Sequence, residues 1–199
     1  MNYEKYYLVE FHDIDFIICF EYNICGIPRK KIERRMMKAC FIGHKTIDKS
    51  EELICSLTEV VITLVRKGVT TFLFGSMSEF NNLSWEVVTK VKKEYPHIKR
   101  VYVRSAYQYL DKAYKEYLLE SYEETYFPEK VENAGKYSYV ERNCEMIDNA
   151  TYCVFYYNEN YIPLKKQSKH SLPKKRNSGT KMAYEYAAKK EKEIINPYK

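Results

Sequence analysis

A chain of 199 residues, 45% of them hydrophobic, holds enough apolar material for a packed core and suits one domain with an extension or two small ones. The formal charge of +6 favours anionic partners only mildly, and much of the excess sits in two runs, residues 29–35 and 165–176, which read first as solvated faces. Six cysteines (Cys19, Cys25, Cys40, Cys55, Cys144, Cys153) show no CxxC or Cys/His ligand spacing and the four histidines are scattered, so no metal site and no cofactor are expected.

Residues 1–35 show imperfect alternation, with a turn near His12–Asp13 and a closing "GIPRKK". They predict a β-hairpin extension that pairs with an edge strand or with a second copy of the chain, so a homo-oligomer is expected. The nucleotide-binding domain is then expected over 36–199. From residue 38 a strand–helix pattern repeats. Strands are predicted at 38–43, 69–75, 99–105 and 152–157, with weaker ones at 122–127 and 193–196. Helices are predicted at 48–67, 80–94, 107–120, 138–148 and 178–191, from apolar residues at helical spacing such as Leu53, Leu57, Val60, Val61 and Leu64. Residues 158–177, with two prolines and six Lys or Arg residues, predict a long basic loop. Cys40, Cys55 and Cys153 fall inside apolar stretches, as reduced core thiols do. No run approaches the ~20 apolar residues that cross a bilayer. The opening residues lack a signal-peptide pattern, so a cytoplasmic location without membrane partners is expected.

Strands alternating with helices in this way predict an α/β fold: a Rossmann-like, mostly parallel sheet with helices on both faces. Right-handed crossovers gather the strand carboxyl ends on one edge, where ligands bind in such sheets. Three stretches fall on that edge. In "CFIGHK" (40–45), Gly43 permits close backbone approach to a phosphate. His44 offers a hydrogen bond to ribose or phosphate, and Lys45 offers charge; the competing reading is a tight turn. In "FGSMSEFNNLSWE" (74–86), Gly75 and Ser76 leave the strand near free helix N–H groups. Asn81 or Asn82 as helix caps, and Glu86 as a dipole partner, are the alternatives. In "NSGTKMAYEYA" (177–187), Ser178, Gly179 and Thr180 open a helix where a phosphate can dock, or simply cap it. GxGxxG is absent. A fourth stretch, "RNCEMIDNATYCVFYYN" (142–158), sets Arg142 and Asn143 on a helix that feeds a core strand.

These segments, with "YPHIK" (95–99) between them, occur in the order seen in the SLOG superfamily, and over residues 38–196 the chain resembles its YpsA-like branch most closely. The superfamily includes LOG-type phosphoribohydrolases, DNA-processing protein A, and sensor domains that recognise ADP-ribose-derived signals in antiphage defence. The resemblance implies a Rossmann-like domain that binds nucleotides or nucleotide-derived molecules. By position, Gly43 and His44 match the first-strand motif, and Gly75, Ser76 and Glu86 match the second-strand region. Arg142, Asn143, Met146 and Asp148 match the "RN..M.D" element, and Ser178, Gly179 and Thr180 match the glycine-rich phosphate turn.

The chain also departs from the hydrolases. Ser178 replaces one glycine, and Lys181 and Met182 follow Thr180 where a catalytic Glu is usual; Glu185 is the first acid after it. Asn81 stands where many relatives carry Asp. Glycosidic hydrolysis needs a carboxylate to stabilise oxocarbenium-like charge or activate water. The expectation is therefore binding of a nucleotide-derived molecule without hydrolysis, as a sensor or sequestering protein. A nucleotide phosphoribohydrolase or N-glycosidase using Glu86 or Glu185 is the enzymatic alternative. Nucleic-acid binding through the basic stretches and some of the 21 tyrosines ranks third.

Overall fold

The computed structural model describes residues 37–106, 109–161 and 178–198. The expected N-terminal hairpin and most of the basic loop lie outside the described residues. Six strands form one all-parallel sheet: β1 (Met37–Gly43), β2 (Val69–Phe74), β3 (Lys99–Val103), β4 (Glu124–Tyr126), β5 (Tyr152–Tyr156) and β6 (Glu193–Ile195). Their order is β4-β3-β2-β1-β5-β6. The chain winds outward from β1 to β4, then returns to the other side of β1. The junction of β1 and β5 is thus the point at which the winding reverses, where doubly wound sheets open a crevice at the carboxyl edge.

Six helices connect the strands: α1 (Glu51–Arg66), α2 (Glu79–Lys92), α3 (Lys112–Ser121), α4 (Glu129–Glu132), α5 (Ser138–Asn149) and α6 (Gly179–Lys189). Helix α1 shows how local sequence sets an element. The Ser50 hydroxyl accepts from the Leu53 N–H at 3.2 Å, and Glu51 and Glu52 sit where the helix dipole favours negative charge. Leu53, Leu57, Val61 and Leu64 form its buried stripe. Gly68, at φ +95°, then adopts a left-handed conformation open mainly to glycine and ends the helix.

The strands alternate sides. Ala39, Phe41, Phe72 and Phe74 face α1 and α2, with Phe41 stacked on Phe74 at 5.2 Å between ring centroids. Cys40, Ile42, Leu73, Cys153 and Phe155 face the opposite way, against Met146 and Ile147 of α5 and Ala183 and Ala187 of α6. Each large side chain so buried contributes about 1.5–3 kcal/mol relative to exposure, before the cost of ordering it.

Several local expectations change. Cys55 is exposed on α1, so only Cys40 and Cys153 of the three apolar-stretch thiols belong to the core. Helix α2 is capped by Ser78, whose hydroxyl accepts from the Asn81 N–H, and not by Asn81 or Asn82. Helix α3 starts at Lys112 because Asp111 caps it, accepting from the Tyr114 N–H at 2.8 Å. Helix α4 and a 3-10 turn at Gly135–Tyr137 were not expected. No helix among the described residues is long and apolar enough to cross a membrane.

Candidate functional site at the carboxyl edge

Arg142 lies in the second turn of α5 and is 2% exposed, the largest fully buried side chain among the described residues. Its Nε donates to Asn143 Oδ1 at 3.0 Å, and its guanidinium lies 5.9 Å from the Tyr139 ring centroid, one helical turn back. Nη1 is buried without a hydrogen-bond partner, and no ion pair joins the group to a carboxylate among the described residues. Burial pulls its pKa down to about 10, with Tyr102 and Tyr139 acting the other way. It therefore remains a cation at neutral pH. A buried, uncompensated cation costs several kcal/mol, of which an aromatic face returns only part.

Arg142 reaches the sheet at Gly75. A Cβ on Gly75 would stand 2.6 Å from Arg142 Cδ and 2.7 Å from Met146 Sδ, so the missing side chain is what admits the arginine. Gly43 serves packing in the same way, since a Cβ there would meet Phe80 at 2.4 Å. At both positions the absent side chain makes room for a neighbouring side chain of the same chain. Gly179 does face open space, with nothing within 4 Å of its Cβ position.

The N–H groups after β2 are also committed. Asn81, 3% exposed, accepts from Gly75 N–H at 3.2 Å and Ser76 N–H at 3.4 Å, and donates to Phe41 O at 3.2 Å. Its two amide ends tie α2 to β1 and β2, a role its position in the sequence did not reveal. Glu79 N–H donates to Lys45 O, and the Glu79 carboxylate accepts from Ile47 N–H. An anion has little to gain at this helix start. The start of α6 carries the same kind of serine cap, Ser178 accepting from Lys181 N–H at 3.1 Å, but its first turn holds no acid and Gly179 faces open space.

The remaining expected residues separate by position. Lys45 and Glu86 are exposed, Glu86 two turns into α2 and away from the strand ends. Glu185 is exposed and faces Lys181 at 3.9 Å. Asp148 occupies the opposite end of α5, where Tyr186 donates to it at 3.0 Å and Lys130 pairs with it at 2.8 Å. Burial works against its ionised form, but the Lys130 and Tyr186 hydrogen bonds prevail and hold its carboxyl below the usual value. Asp148 is thus a structural clamp, about 9 Å along the helix from Arg142.

At the β1–β5 junction His44 is 1% exposed. Its Nε2 lies 2.9 Å from Asn158 N–H and 3.1 Å from Asn158 O, accepting from the first in one tautomer and donating to the second in the other. Nδ1 is buried without a partner. Desolvation lowers the pKa below its ordinary value and keeps the ring neutral, against the opposing contact with the Asn158 backbone. Tyr161 stacks on the imidazole with centroids 3.8 Å apart and planes 11° apart, while Tyr157 and Tyr156 lie 5.9 and 6.3 Å away. The tyrosines of "YYNENY" were read as strand or loop residues; their convergence on a histidine 112 to 117 positions earlier leaves no local signal.

Among the described residues no group of three or more His, Cys, Asp or Glu side chains is placed to hold a metal ion. A cavity of about 370 Å³ opens toward the amino ends of β1 to β4, beside Lys38, His97, Lys99 and Glu124, and contains none of the carboxyl-edge residues. The architecture is that of doubly wound α/β proteins that take ligands at the carboxyl edge. Comparison with protein-family models found no match, and comparison with curated proteins found none either.

Proposed function

We propose that the protein binds a nucleotide or nucleotide-derived anion at the carboxyl edge without hydrolysing it, as a sensor or sequestering protein, in keeping with the SLOG resemblance. The observation that carries this reading is Arg142, a cation 2% exposed with an unpartnered Nη1. A phosphate supplies the missing charge and acceptors, and the open start of α6 at Ser178, Gly179 and Thr180 offers N–H donors on the same edge. Hydrolysis is disfavoured because both candidate acids, Glu86 and Glu185, are exposed, and Glu185 is engaged with Lys181.

Thermal unfolding with AMP, NAD, ADP-ribose and cyclic ADP-ribose tests this. A ligand at 100 times its dissociation constant adds about 2.7 kcal/mol when it binds only the native state, a rise of roughly 5–10 °C for a chain of this length. Chromatography should return the ligand intact. Turnover to free base, lost in Glu86→Gln or Glu185→Gln, would establish the glycosidase instead. A folded protein that responds to none of the four would count against both readings.

A further inference from the structure

We propose that the ring face of His44 is a nucleobase subsite, occupied in this structure by the side chain of Tyr161, which a planar base displaces. The inference rests on the nucleotide reading above and adds where the base goes. Four observations carry it. The Tyr161 contact, 3.8 Å and 11° from parallel, has the geometry that a purine or pyrimidine adopts on an aromatic platform. The imidazole sits where the winding of the sheet reverses. Its buried Nδ1 has no partner and offers a hydrogen-bonding group in the ring plane, a donor to a sugar or phosphate oxygen in one tautomer and an acceptor from a sugar hydroxyl in the other. Finally, β1 and β2 are adjacent, with Cys40 opposite Leu73. Continuing that register sets Gly75 opposite Ile42, so His44 and Gly75 leave the sheet about 8 Å apart, and Arg142 packs on Gly75. A nucleoside phosphate supplies a planar ring, sugar oxygens and a charge at compatible spacing; a bare sugar phosphate lacks the ring.

Tyr161 is held lightly enough to leave. Its hydroxyl shares one hydrogen bond with Thr46 Oγ1 at 3.0 Å, and its backbone closes a short turn on Asn158 at 3.1 Å. The exchange replaces one stacked ring by another, so removing the tyrosine should help base-bearing ligands only.

Isothermal calorimetry with two probes, AMP and ribose 5-phosphate, tests this on the full chain. Tyr161→Ala should bind AMP about tenfold more tightly, the scale of one stacking contact, while ribose 5-phosphate is unchanged. Thr46→Val, which only loosens the tyrosine, should move AMP two- to threefold in the same direction and does not depend on Tyr161→Ala folding. Weaker AMP binding in either variant, or an equal change for both probes, would overturn the subsite while leaving the Arg142 site standing. If neither probe binds the wild type or either variant, the subsite fails, and the nucleotide reading fails with it when NAD, ADP-ribose and cyclic ADP-ribose also give no thermal response.

Discussion

The two ends of α5 treat charge in opposite ways. At the carboxyl end, Asp148 is ringed by Lys130 at 2.8 Å, Lys190 at 3.8 Å and the Tyr186 hydroxyl, and Lys130 also holds Glu145 at 3.1 Å. At the amino end, Arg142 is more deeply buried, yet it has one neutral amide and one tyrosine face for company. The saturated end fastens α4, α5 and α6 together. The unsaturated end bears a desolvation cost that the fold alone gives no reason to keep. Motif position placed both residues in one site; the completeness of their partnerships separates them.

The sharpest test of that contrast replaces Arg142 with methionine, which fills similar space without charge. AMP affinity should fall about 10- to 100-fold, because a charge-assisted phosphate contact is worth about 1.5–3 kcal/mol. Stability measured by urea unfolding should stay level or rise by about 1 kcal/mol, since a desolvated cation has been removed. A large loss of stability would make Arg142 a structural residue and erase the contrast.

The mirror experiment is Asp148→Asn. It should lower stability by about 1–2 kcal/mol, a drop of roughly 3–6 °C in Tm, while leaving AMP affinity untouched. Lost affinity with an unchanged Tm would put Asp148 back in the site.

The smallest effect concerns pH. Folding depresses the His44 pKa below its ordinary 6.5, among Tyr156, Tyr157 and Tyr161. Between the folded and unfolded values the unfolded chain therefore binds more protons. Stability should decline as pH drops below 6.5 and level off once the folded pKa is passed. In His44→Phe that part of the Tm profile between pH 7.5 and 5 should flatten; an identical slope would show that other groups set it.

Much of the sheet was legible because its signals are local. Apolar runs marked the strands, and the spacing of Leu53, Leu57, Val61 and Leu64 marked a helix that buries those same residues. Helix α4 was not legible, since its four residues bury only Val131. The site was half legible. Gly43, His44, Gly75 and Arg142 could be placed on the carboxyl edge while Glu86 and Asp148 lie away from it, and three facts about this region depend on contacts far apart in sequence. Gly43 is small because of Phe80, Asn81 spends its amide on Phe41, Gly75 and Ser76, and Arg142 lacks a carboxylate among the described residues. A missing partner is a property of three-dimensional surroundings, and no spacing rule records it.

The fit of Arg142 over Gly75 binds the histories of two positions 67 residues apart. While the arginine stays, even one added methyl group at 75 pushes against its Cδ and Nε and shifts the guanidinium. Once the arginine is lost, that constraint relaxes and position 75 is freer to drift. Descendants of this chain should therefore inherit glycine and arginine as one unit, and a lineage with alanine at 75 should already have given up the cation beneath it.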